Sequence, residues 1–163
     1  MNGKKMPVLM ALSALMVVPV LGAMAAPNSG DNLDVDATEE ETLSQSREVD
    51  LQAIEGALND YLYGSRDGEP DRLARAFHAT AEIEGVRDGE LVSWTAPDYV
   101  GGMTPGRVRD FTPRILAVDF TGTAAQAKVE ADYGTWKFVD YMQLLKIDGE
   151  WKIMNKVYHR VVN

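Results

Sequence analysis

The chain has no cysteine and only two histidines, His78 and His159. The first absence excludes disulfides, thiolate zinc sites, a cysteine nucleophile and a lipoprotein-type attachment, which needs a cysteine at its cleavage site. The second leaves too few imidazoles for a histidine-rich metal site. Positive charge is scarce as well: 16 Lys and Arg stand against 25 Asp and Glu, a net charge of −9. An acidic chain repels phosphate backbones, so nucleic acid is not an expected partner. There is no glycine-rich phosphate loop, no nucleophile elbow and no metal-ligand spacing, so neither cofactor nor metal is expected.

What is present begins with an address. Residues 1–25 join a basic pair, Lys4 and Lys5, to an apolar run from Met6 to Leu21 and a small-x-small site, Ala23-Met24-Ala25. The run is shorter than the ~20 residues of a spanning helix, and Pro19 interrupts it. The pattern predicts a signal peptide cleaved after Ala25, an exported (periplasmic or secreted) protein, and no membrane association after cleavage. Residues 26–45 are polar and acidic. Such a segment buries too little apolar surface to offset its ordering entropy, so it reads as a flexible tail. Thr38 and Glu41 nevertheless have capping-box spacing. Residues 46–163 are then one folded domain, within the usual size range.

Ser46 to Tyr63 places Val49, Ala53, Ile54, Ala57, Leu58, Tyr61 and Leu62 at helical spacing, with Gly64 as a stop. Pro70 opens a shorter helix carrying Leu73, Ala76 and Phe77. Asp88-Gly89 and Asp148-Gly149 each stand between alternating runs, the strongest short-range hairpin signal. Pro97 to Met103 is a short helix or loop. Thr112 to Phe120 and Thr123 to Tyr133 flank Thr121-Gly122, and Ala125, Ala127, Val129 and Ala131 form the inward face of the second strand. Helices followed by long strands predict an α+β fold: a conical barrel with helices packed in the concave face of a strongly bent antiparallel sheet.

The last hairpin organises the rest. Uniform counting outward from Asp148-Gly149 pairs Leu144 with Ile153, Met142 with Asn155, Asp140 with Val157 and Phe138 with His159. One face then carries Phe138, Asp140, Met142, Leu144, Trp151, Ile153, Asn155, Val157 and His159. The other carries Val139, Tyr141, Gln143, Leu145, Lys152, Met154, Lys156 and Tyr158. Asp140 is a carboxylate amid apolar neighbours, so it is either paired or raised in pKa. Two roles stay open for it: a base beside a bound carbonyl, or a structural group bonded to helix backbone or to Tyr61. His78 or Tyr61 could supply the matching donor. Trp94, Phe77, Phe138, Met142 and Asn155 are the candidate ligand-binding residues, beside the core or rim roles each could equally fill. Lys128, Lys146, Lys152 and Lys156 are expected on the solvated outer face, where Val139, Tyr141, Met154 and Tyr158 suggest a homodimer contact.

The residues Tyr61-Leu62-Tyr63-Gly64, Phe77-His78-Ala79-Thr80-Ala81, Ala127-Lys128-Val129, Phe138-Val139-Asp140-Tyr141 and Leu144 through Tyr158 resemble the putative lumazine-binding family. That family lies in the nuclear transport factor 2-like superfamily, beside the SnoaL-like cyclases and ketosteroid isomerases. The resemblance covers about residues 48–160. It implies the same conical barrel, and dimers through the outer sheet face. Three functions stay open: an exported binder of a small apolar or heterocyclic ligand, a cofactor-free isomerase, dehydratase or cyclase using Asp140, and a dimerisation module with a filled cone. The presence of a cavity, and the residues lining it, separate them.

Overall fold

The structure is a computed structural model that describes residues 34–163, with side chains from residue 37. The expected signal segment lies outside the described residues. In chain order the elements are α1 (Asp34–Asp67), α2 (Pro70–Ala76), β1 (Phe77–Arg87), β2 (Glu90–Thr95), α3 (Ala96–Gly101), β3 (Thr112–Thr121), β4 (Ala124–Asp132), β5 (Trp136–Ile147) and β6 (Glu150–Val162). The strands form one sheet in the order β2-β1-β6-β5-β4-β3. All pairs are antiparallel except β1 with β6, which run parallel. The parallel pair follows from the chain's path, since α3 and the β3–β5 meander intervene before β6 returns to β1. This is the expected α+β cone.

α1 starts well before Ser46. Residues 34–45, read from composition as tail, are helical. Thr38 therefore lies inside the helix, where its carbonyl accepts a hydrogen bond from the Thr42 hydroxyl at 2.8 Å. The buried stripe of α1 is Ile54, Leu58, Tyr61 and Leu62. Val49 is turned outward and 64% exposed. Its level is tied to the sheet instead by Asp50, which accepts hydrogen bonds from Lys146 Nζ at 2.6 Å and Trp151 Nε1 at 3.0 Å. Gly64 is not the stop either. The helix runs on to Asp67, and Gly68, at φ +70°, ends it. Gly64 serves close packing, because a Cβ there would lie 2.7 Å from the Leu73 backbone nitrogen of α2.

The loop after α3 closes one side of the cone. Gly106 N–H donates to the Gly68 carbonyl at 2.8 Å, and Arg109 N–H donates to the Arg66 carbonyl at 2.7 Å. Those bonds hold Arg109 and the buried Phe111 over the end of α1. The core lies between α1, α2 and the concave sheet face, around Leu58, Leu73, Ile83, Val129, Met142, Leu144 and Ile153.

Candidate functional site

The last hairpin turns at Asp148-Gly149 with φ values of 51° and 85°, both positive as a type I′ turn requires. Pairing is uniform from Ile147–Glu150 to Leu144–Ile153, and then shifts by one. Gln143 pairs with Asn155, Met142 with Lys156, Asp140 with Tyr158, and Phe138 with Arg160. Met154 is the extra residue of a β-bulge. Because side chains alternate with period two, one extra residue moves everything beyond it to the opposite face. Lys156, Tyr158 and Arg160 therefore enter the cone. Asn155, Val157 and His159 leave it. This one residue corrects five placements: Lys156 is not a solvated outer lysine, Tyr158 is not part of the outer face, and Asn155, Val157 and His159 do not share the Asp140 face.

Lys156 is 5% exposed and Asp140 fully buried. The Lys156 ammonium donates to the Tyr61 hydroxyl oxygen at 2.8 Å and to Asp140 Oδ2 at 3.3 Å. Tyr61 in turn donates its hydroxyl proton to Asp140 Oδ2 at 2.6 Å. A buried carboxylate is tolerable when a cation and a donor face it, and here both do. Tyr61 was expected beside Asp140, and it is there. The aromatic rings of Tyr61, Tyr99 and Tyr158 surround the ammonium, their centroids 5.0, 5.4 and 5.0 Å away. Negative ring faces around a cation offset part of its lost hydration.

The charges of this cluster move its titrations. Burial pushes the Tyr61 phenol well above its ordinary value of 10.0, and the Asp140 carboxylate pushes the same way. Burial works against the Lys156 ammonium, but the neighbouring Tyr99 oxygen and the Asp140 carboxylate outweigh it, so its pKa lies above the ordinary 10.5. Lys156 is thus a cation at neutral pH, with no lone pair for attack on a carbonyl. Burial also raises the Tyr133 phenol, against the opposing pull of Arg109 beside it.

Above this cluster opens a cavity of about 150 Å³. Its floor is Tyr61, Lys156 and Ser65; its walls are Trp94, Tyr99, Phe111, Ala131, Tyr133, Phe138 and Tyr158; Arg87 and Arg109 stand at its edge. The cone is therefore not filled. Gly85 makes room for the Tyr158 ring, since a Cβ there would collide with it. That seats Tyr158 flat against β1, stacked on Trp94 at 6.3 Å. Ser65 Oγ is buried without a hydrogen-bond partner, and so is Asp140 Oδ1. An ammonium has three N–H donors, and Lys156 directs two of them to Tyr61 and Asp140. The arrangement offers a flat apolar slot with an ammonium and one unpartnered hydroxyl at its base.

The other expected site residues distribute differently. Trp94 and Phe138 line the cavity. Asp140 does not; it stands behind Tyr61 and Lys156 and fixes both. Phe77 is a buried support, packed edge-on to Tyr61 at 5.8 Å and Tyr99 at 6.1 Å. Met142 is 1% exposed in the core behind the cavity. Asn155 faces outward and donates to Glu84 Oε2 at 3.3 Å. His78 sits at the other end of β1, with Nδ1 2.8 Å from Thr80 Oγ1, and lines a separate hollow with Phe77 and Val100. It does not join Asp140, because β1 carries it away from the cone's open end. Sequence reasoning missed Lys156, Ser65, Tyr99, Phe111 and Tyr133. A signal for Ser65 was present, since it follows Tyr61 by four residues on the same helical face.

Comparison with known proteins agrees with this fold. The sequence profile of the family described as "Putative lumazine-binding" matches residues 49–159. A nuclear transport factor 2-like protein of unknown function from Methylobacillus flagellatus KT is 34% identical, over 68% of this chain and 91% of that one, with a TM-score of 0.59. A second, from Shewanella baltica OS155, is 27% identical over 70% and 95%, with a TM-score of 0.62. Among characterised proteins, the aldolase FrzH of Cladobotryum sp is 24% identical over 102 residues, 61% of this chain and 82% of that protein.

Proposed function

Since the chain belongs to the putative lumazine-binding family of nuclear transport factor 2-like proteins, we propose that it is an exported binder of a small, flat, aromatic or heterocyclic ligand, held in the cavity above Lys156. The carrying observation is the aromatic-walled cavity with the Lys156 ammonium, anchored by Asp140 and Tyr61, and the unpartnered Ser65 hydroxyl at its base. A buried donor without a partner costs free energy that a ligand oxygen or ring nitrogen recovers. Ser65 Oγ is such a group. Aromatic walls supply the affinity, and these polar atoms supply orientation. A volume of about 150 Å³ equals that of an engineered cavity that holds benzene, so one ring fills the chamber and a second ring extends toward the mouth.

A second reading is acid–base chemistry on a carbonyl compound. It draws on Tyr61, whose hydroxyl lies between the Asp140 carboxylate and the Lys156 ammonium, and on the aldolase among the relatives. In that reading Tyr61 and Lys156 stabilise charge on the substrate oxygen, and Asp140 positions them. The binder is preferred because Asp140 Oδ1 does not reach the cavity. Mass spectrometry of small molecules released from the natively purified protein tests the proposal. Stoichiometric recovery of one flat aromatic compound supports it, and recovery of a ketone converted on incubation supports the enzyme instead.

A further inference from the structure

The concave face does not end at the cavity. Beyond it lies a cleft of about 490 Å³ that shares Arg87, Phe138 and Tyr158 with the cavity wall and adds Trp136 and Arg160. Alternation along the strands puts these residues on the cavity's face: Trp136 and Phe138 are two apart on β5, as are Tyr158 and Arg160 on β6. The cleft is the cavity's continuation toward the strand ends.

Its charge is opposite to the molecule's. The chain carries −9 overall, yet with Lys156 balanced by Asp140 behind it, cavity and cleft together present Arg87, Arg109 and Arg160 against one carboxylate, Asp88. Asp88 and Glu90, the acids nearest Arg87 in the β1–β2 turn, form no ion pair with it. Arg66, Arg72, Arg75 and Arg114 each face a carboxylate; among the described residues Arg87, Arg109 and Arg160, the three at cavity and cleft, face none, nor do Arg47 and Arg107, which lie outside both. Arg160 lies over the Trp136 ring, 4.6 Å from its centroid. That contact holds the guanidinium at the mouth and leaves its donor edge open.

Resting on the pocket reading above, we propose that the ligand is an aromatic carboxylate: a flat ring system whose inner end meets Lys156 and Ser65 and whose outer end carries an oxyanion received by Arg87 and Arg160. The spacing agrees. Lys156 and Arg160 are four residues apart on one strand, about 13 Å at ~3.3 Å per residue, and their long side chains shorten the gap. A fused two-ring skeleton substituted at both ends spans what remains. The planar guanidinium fork matches the two oxygens of a carboxylate, whereas a neutral amide offers one acceptor oxygen and no charge.

The test is calorimetric titration of the full chain with 6-hydroxy-2-naphthoate and with its neutral counterpart, 6-hydroxy-2-naphthamide. At about 20 mM salt the naphthoate should bind roughly tenfold more tightly, with the preference shrinking as salt is raised. In the Arg87→Gln/Arg160→Gln double variant the two probes should bind alike. Both positions are exposed, so folding is not at stake. Equal affinities in the wild type, or a preference that survives in the double variant, would overturn the anion assignment and leave the pocket reading standing. Failure of both probes to bind would overturn the pocket reading, and this inference with it.

Discussion

Replacing Lys156 with Met keeps an unbranched side chain, one heavy atom shorter, and removes its charge. In the wild type the ammonium lies 3.3 Å from Asp140 Oδ2, and both side chains are almost wholly excluded from solvent, at 6% and 0% exposure. At an effective dielectric of about 20, that separation corresponds to an attraction of about 5 kcal/mol. The variant leaves Asp140 buried with only the Tyr61 hydroxyl facing it. Breaking a buried pair from one side costs about 3–5 kcal/mol, because the remaining charge keeps its desolvation penalty. With a urea m-value of ~2 kcal/mol/M, the unfolding midpoint should fall by roughly 2 M. Asp140→Asn in the same background removes the stranded charge, so the double variant should be more stable than Lys156→Met alone. That non-additivity is the diagnostic, since two independent sites would sum. Urea unfolding of the wild type, both single variants and the double variant measures it. A loss under about 1 kcal/mol in Lys156→Met, or simple additivity, would refute the buried-pair reasoning.

Three further outcomes are expected. Lys156 and Tyr61 are both held above their ordinary values of 10.5 and 10.0, so the stability they contribute is fully present below those values and lost as pH rises through the higher folded-state ones. Melting temperature should accordingly drop steeply above about pH 10, and a flat profile to pH 12 would contradict the assignment. N-terminal sequencing of the exported protein should begin at Ala26, whereas an intact Met1 on a membrane-bound form would contradict export. The outer sheet face, where Tyr141 is 50% and Val157 43% exposed, should pair two copies, so that Tyr141→Asp with Val157→Asp sediments as a monomer; a monomeric wild type at micromolar concentration counts against the pairing.

The architecture was legible because local signals agreed with one another. Asp88-Gly89 and Asp148-Gly149 adopt the positive φ angles that hairpin chemistry demands, and the alternating alanines of β4 face inward as their pattern implies. The site was half legible. Tyr61, Trp94 and Phe138 line the cavity, while Asp140 stands behind Tyr61 and Lys156. Lys156 and Tyr158 were assigned to the wrong face because Met154 is a bulge, and a bulge leaves no composition mark in a run such as Ile153-Met154-Asn155-Lys156. Only pairing with a neighbouring strand reveals the extra residue. Counting could not reveal that the pocket aspartate has a lysine partner, although the need for some cation was foreseeable from burial alone. Helix length was misjudged for a related reason. Gly64 reads as a terminator, yet it is there to let α2 approach, and such packing is long-range information.

The central claim is that the cavity above Lys156 holds the ligand. Ala131 lines it and is 6% exposed, so Ala131→Phe should occupy the slot while leaving Lys156, Tyr61 and Asp140 in place. Calorimetric titration of 6-hydroxy-2-naphthamide into the wild type and into this variant, with cooperative melting checked for both, is the direct measurement. Saturable one-site binding to the wild type and none to a folded Ala131→Phe variant is the predicted result; equal binding to both would contradict it.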